Sequence, residues 1–106
     1  MGKRSRPKPA RLADKLLQIR LAYGLSQNGM ISRLVLSEEL VQADVSAFEL
    51  GTREPALPHL LRYARVAGVT VDVLIDDEME LPEKLAVDPT HGVVKPLTGS
   101  KRRRER

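Results

Sequence analysis

The chain has 106 residues, 42% of them apolar and 30% charged, with no cysteine, two histidines and three aromatic residues. That length supports one small domain plus tails, and the missing cysteines exclude both a disulfide framework and a Cys/His zinc site. The net charge of +4 is unevenly placed: residues 1–11 carry +5 and residues 101–106 carry +4, whereas residues 12–100 hold eight Lys/Arg against thirteen Asp/Glu.

The N-terminal arm, residues 1–9, is basic and has prolines at positions 7 and 9, which predicts an extended, flexible segment and not a helix. In RLADKLLQIRLAYG, Leu12, Leu16, Ile19 and Tyr23 recur at helical spacing as one buried stripe, and Gly24 supplies a left-handed stop. Ser26 is placed to cap a second helix, SQNGMISRL, whose apolar side is Met30, Ile31 and Leu34. The connection VLSEEL contains a start signal of its own, Ser37 followed by Glu38 and Glu39, and is expected to form an extra helical turn. A third helix spans about Gln42 to Leu50, with Val45 and Phe48 facing inward and Gly51 closing it. After TREPAL, Pro58 suits the first turn of a fourth helix with a stripe of Leu60, Leu61, Ala64 and Ala67 and a stop at Gly68. Thr70 is expected to cap a short fifth helix, VDVLID. From residue 78 to 106 prolines interrupt every pattern, only LPEKLAV offers a brief turn, and the segment reads as a tail ending in KRRRER. The fold class is therefore all-α, with a five-helix body over residues 10–77 between two flexible basic tails.

The third helix poses the functional question. Its outer side carries Gln42, Ala43, Ser46 and Ala47, side chains far smaller than the Lys, Glu and Arg that normally cover a solvated helix. Glutamine can bond both N6 and N7 of an adenine in the major groove, and alanine methyls can pack on thymine methyls. The competing reading is a close contact with another helix or a partner protein, for which Ala and Ser are equally suited. Asp44 is unfavourable near phosphates and fits better as a partner of the helix N-terminal dipole.

The succession LADKLLQIRLAYGLSQ, ISRL, DVSAFELGTREP and LLRYARVAGVTVDVLID resembles the Xre family of helix-turn-helix regulators, the class that includes the lambda-type phage repressors. The resemblance covers about Leu12 to Asp76. It implies a compact lambda-repressor-like helix-turn-helix domain that binds double-stranded DNA as a homodimer. Residue by residue, it implies that Gln27 grips a phosphate and supports the neighbouring recognition side chain. Gln42, Ala43, Ser46 and Ala47 would face the bases, Arg53 would touch the backbone after the recognition helix, and Arg20 and Glu49 would form a structural salt bridge. VLSEEL departs from the family by lengthening the turn, and Val41 stands where a Ser or Thr cap is usual.

From Leu12 to Ile75 there are six Lys/Arg and seven Asp/Glu, so phosphate attraction is expected to come mainly from the tails. The alternative function is a protein-interaction adaptor or antitoxin-like protein that uses the same helical body on a protein partner. An enzyme is not expected: no metal-ligand spacing, phosphate loop or nucleophile arrangement is present, so catalytic residues, metal and cofactors are all read as none. No apolar run suits a membrane span or signal peptide, and the expected location is the cytoplasm.

Overall fold

The computed structural model describes residues 9–86. Most of the arm (residues 1–8) and the basic C-terminal run lie outside the described residues. Five helices follow one another: α1 Leu12–Ala22, α2 Gln27–Leu34, α3 Gln42–Leu50, α4 Leu57–Ala67 and α5 Val71–Ile75. The described residues contain no strand, and the body is all-α. The principal helix contacts form a closed circuit, in which α1 packs on α3, α3 on α2, α2 on α4, α4 on α5, and α5 back on α1. Leu16, Ile19, Met30, Leu34, Val45, Tyr63 and Leu74 are fully buried inside it.

The start and stop signals operate largely through local hydrogen bonds. Ser26 Oγ accepts from Gly29 N at 2.9 Å and caps α2, satisfying one of the donors a helix start leaves open. Glycines 24, 51 and 68 take positive φ after α1, α3 and α4. Gly68 is constrained twice, because a Cβ there would also lie 2.6 Å from the Cβ of Ala86. Thr70 occupies the cap of α5 without making a side-chain bond.

In α4 the expected stripe is rotated. Leu60, Ala64 and Ala67 are buried, but Leu61 is 40% exposed and Tyr63 takes the interior position with no exposure. Because α2 and α5 both pack on α4, the face containing Tyr63 is enclosed between them. The Tyr63 hydroxyl has no partner among the described residues, and burial pushes its pKa up, so it stays neutral.

The connection between α2 and α3 is a single hydrogen-bonded turn, with Glu39 N and Leu40 N both bonded to Leu36 O at 2.9 Å. Leu36 and Leu40 are buried, so the connection contributes to the core as well as spanning between the helices. From α4, Arg62 donates to Leu34 O at 2.6 Å and His59 meets Glu39 at 3.0 Å. The α2 C-cap is Val35, at φ 61° and ψ 45°. A β-branched residue in the left-handed region costs about 1–2 kcal/mol.

Two clamps close the circuit. Lys15 lies within the apolar stripe of α1, with only 1% exposure. Its ammonium donates to the carbonyls of Val73 (2.8 Å), Asp76 (2.9 Å) and Met79 (2.8 Å), placing a positive charge against the C-terminal end of α5 and the chain that follows it. The second clamp caps α1 from far along the chain. Asp77 accepts from Ala10 N at 2.9 Å and Arg11 N at 3.0 Å, while Arg11 returns bonds to Asp77 O and to Glu80.

The structural body therefore continues past residue 77. Leu81 and Leu85 pack against the core, Ala86 N bonds to Ala67 O at 3.1 Å, and Tyr23 Oη donates to Ala86 O at 2.7 Å. LPEKLA forms bends and no helix. Extended chain is held there by two spaced leucines and backbone bonds.

Lys15→Met keeps an apolar stem but leaves three carbonyls without their donor. It is expected to destabilise the fold by about 2–4 kcal/mol, on the order of 10–25 °C in Tm, in a calorimetric melt. The fold also holds Asp77 and Glu80 below their ordinary pKa values of 3.8 and 4.5: Asp77 chiefly through the N–H bonds of Ala10 and Arg11, Glu80 chiefly through the Arg11 hydrogen bond. The unfolded chain then takes up these protons first. Stability contributed by the clamp is present above the ordinary carboxylate range and lost as pH falls through and below it. Urea midpoints should hold down to about pH 5 and drop below about pH 4, with a smaller drop in Asp77→Asn.

Candidate functional site

Val45 and Phe48 are buried and fix the inner side of α3; fully burying each contributes about 1.5–3 kcal/mol. With the inner side fixed, the helical repeat turns Gln42, Ala43, Ser46 and Ala47 outward. Gln42 and Ala43 are exposed, and Ser46 and Ala47 half-buried. Leu50 also lies on this outer side and is 74% exposed. The sequence reading treated Leu50 only as the residue before the glycine stop. Its position seven after Ala43, two helical turns along the same face, was the available signal.

One carboxylate organises the start of this helix. Glu49 accepts two bonds from Arg20, at 2.7 Å from Nε and 3.0 Å from Nη2, and a third at 3.0 Å from Gln27 Nε2. The pair is partly buried, with side-chain exposures of 16% for Arg20 and 5% for Glu49. The bond to Glu49 raises the Arg20 pKa further, against the opposing effect of burial. Arg20 also donates to Leu25 O at 2.9 Å, which ties the α1–α2 turn to the same group. The Gln27 carbonyl in turn accepts from Gln42 Nε2 at 3.2 Å. A continuous relay thus runs from α1 through Glu49 and α2 to the first residue of α3. It restricts the rotamers of Gln42 while leaving that side chain exposed.

Asp44 Oδ2 accepts from Val41 N at 2.8 Å, so the carboxylate supplies the reciprocal half of a capping box where Val41 has no side-chain acceptor. The opposite oxygen pairs with Arg53. The Val41 bond, followed by the Arg53 bond, lowers the Asp44 pKa, and the charge near the α3 N-terminus is favourable. Arg53 also lies over the Phe48 ring, 5.5 Å from its centroid. Its guanidinium is thus placed beside α3 and offsets the Asp44 charge.

Gln27 and Gln42 are therefore joined directly, Arg53 is held separately by Asp44 at the helix start, and Ala43, Ser46 and Ala47 continue the same outer face. Pro9 lines a cavity of about 280 Å³ with Gly51, Arg53 and Pro55, so the basic arm meets the body beside the C-terminal end of α3. Among the described residues no group of three His, Asp or Glu side chains is arranged to hold a metal, and no helix is long and apolar enough to cross a membrane.

No protein-family model matches the chain, and no curated protein or solved structure is significantly similar to it.

Removing the shared carboxylate should expose the dependence of α3 on this relay. Glu49→Ala leaves Arg20 partly buried without its partner and is expected to cost about 3 kcal/mol in a urea titration, with a large coupling to Arg20→Ala in a double-mutant cycle.

Proposed function

We infer that this chain binds double-stranded DNA sequence-specifically through α3 in the major groove, as a regulator that acts by occupying its site. The observation that carries the inference is the exposed, small-residue face of α3, headed by a Gln42 that is held through Gln27 and Glu49 to the scaffold. A preoriented glutamine presents a carbonyl and an amide in fixed relation, the geometry needed for two bonds to one adenine. Beside it, Ala43, Ser46 and Ala47 allow close approach to the groove floor, and Leu50 adds an apolar surface suited to a thymine methyl. Internal use of Asp44 by Val41 and Arg53 offsets the one carboxylate that would oppose phosphates. The ordered resemblance to Xre regulators supports the same reading.

A single glutamine supplies only about 1–3 kcal/mol of base discrimination. A second copy on a two-fold related half-site supplies the remainder in this account, with the cytoplasm as the working compartment. The nearly neutral body leaves most of the phosphate attraction to the tails. The described chain begins beside α3 at Pro9, and in this account the bases that precede it in sequence, Lys3, Arg4, Arg6 and Lys8, serve the phosphate backbone.

The test is selection from random duplex DNA followed by binding titrations at several salt concentrations. A defined motif should be enriched, and Gln42→Ala should weaken binding about 5- to 150-fold per half-site and relax preference at one base pair in each. Deleting residues 1–8 should weaken motif and random duplexes alike and reduce the salt slope by as much as about 4 per bound copy. The second reading, a protein-interaction adaptor, is favoured by the exposed apolar side chains of Val41 and Leu50 at the two ends of α3. A selection that enriches no motif, combined with co-purification of a stoichiometric protein partner, decides for it.

A further inference from the structure

A second surface lies between α2 and α4, and no α3 residue contributes to it. Arg33, Arg62 and Arg65 border a cavity of about 280 Å³ whose walls are Leu34, Val35 and Val66. Among the described residues no acidic side chain lines this cavity, although the helical body as a whole carries one more acid than base. The arginines are supported from behind. Arg33 sits over the Tyr23 ring, 5.6 Å from its centroid, and Arg62 is held by the carbonyls of Leu34 and Val35. Arg65 is exposed on α4.

Val35 supplies an independent observation. It is the one non-glycine residue with positive φ among those described, and its side chain is 73% exposed. A strained backbone thus presents a branched apolar group to solvent at the edge of an arginine-rimmed cavity. Burial among the described residues does not account for it. Strain of this kind is a reason to look for a function at the position, and an exposed apolar wall beside fixed charges is a reason to look for a macromolecular partner.

We propose that this cavity docks an acidic segment of a partner protein, in which an apolar side chain enters against Val35 and Val66 while flanking Asp or Glu side chains meet Arg62 and Arg65. Charge complementarity selects an acidic occupant, and the planar guanidinium matches a carboxylate in two-point contact. The apolar walls favour a peptide over a bare anion. A phosphate would leave Val35 and Val66 unused. The proposal does not rest on α3 reading DNA, because the two surfaces share no residue.

The experiment uses the full chain and a short synthetic peptide alternating Leu with Asp and Glu, followed by amide NMR shifts and calorimetry. Controls are its Lys-substituted counterpart, polyglutamate of equal length and inorganic phosphate. The acidic-apolar peptide should bind and shift Leu34, Val35, Arg65 and Val66. Arg65→Glu should weaken it at least about tenfold, and Val35→Gly should weaken it severalfold while raising Tm by relieving the positive-φ strain. Both variants should bind the selected duplex as the unaltered protein does. Equal binding of polyglutamate or phosphate would overturn the proposal in favour of a bare anion site. Indifference of the peptide to Arg65→Glu would overturn it outright. Weaker duplex binding by Arg65→Glu would assign the arginines to phosphates instead. The chain leaves the described body at Ala86, on the cavity edge, and Asp88 follows two residues later. Tighter peptide binding in Asp88→Asn would therefore make the chain's own continuation the occupant, and no partner would be needed.

Discussion

The Glu49 carboxylate is the interaction on which the presentation of α3 depends. It is almost wholly withdrawn from solvent, and an ionised carboxylate in that position is tolerable only when paired and hydrogen-bonded. Arg20 from α1 and Gln27 from α2 meet that requirement together. Satisfying one buried charge thus fixes α3 relative to two other helices. The geometric consequence reaches the surface through Gln42, whose amide is bonded to the same Gln27 that serves Glu49. A buried electrostatic requirement is in this way converted into a preoriented side chain at the head of an exposed helix.

The remainder of the fold keeps that arrangement from shearing. Lys15 and Asp77 perform reciprocal tasks at opposite helix ends: an ammonium meets carbonyls at the C-terminal end of α5 and in the chain that follows it, and a carboxylate meets the N–H groups opening α1. Both choices follow the helix dipole and the orphan groups at helix termini. They join the two ends of the helical sequence, so that α1 is held on one side by α3 and on the other by α5. The connection before α3 is anchored too, through Leu36 and Leu40 in the core and through His59 and Arg62 from α4.

How much of this was legible in the sequence depended on whether the determining interaction was local. The helices were legible because apolar spacing and glycine stops act within a few residues, and the inward placement of Val45 and Phe48 followed from periodicity alone. Asp44 as a dipole partner was also local, since the carboxylate and the Val41 amide are three residues apart. Lys15 was missed despite a usable signal, its place between Leu12 and Ile19 on the buried face; what makes that position tolerable is a set of carbonyls contributed by Val73, Asp76 and Met79, far along the chain. The choice of Tyr63 over Leu61 depended on which face of α4 the neighbouring helices enclose. The docking of residues 78–86 was obscured because Leu81 and Leu85 work through extended chain and backbone bonds, which leave no periodic trace. Of the candidate site, the outer residues of α3 were readable as positions, but the link from Gln42 through Gln27 to Glu49 required the helices to be placed.

The central claim is that a fixed Gln42 and the small outer face of α3 meet base edges in DNA. Amide and side-chain NMR mapping of the full chain, titrated with a duplex obtained by selection, tests it most directly. The account predicts the largest perturbations at the Gln27 and Gln42 side-chain amides and along Ala43, Ser46, Ala47 and Leu50, with smaller ones at Arg53. A selected duplex that perturbs another face while leaving the Gln42 amide and the outer side of α3 unchanged would contradict it.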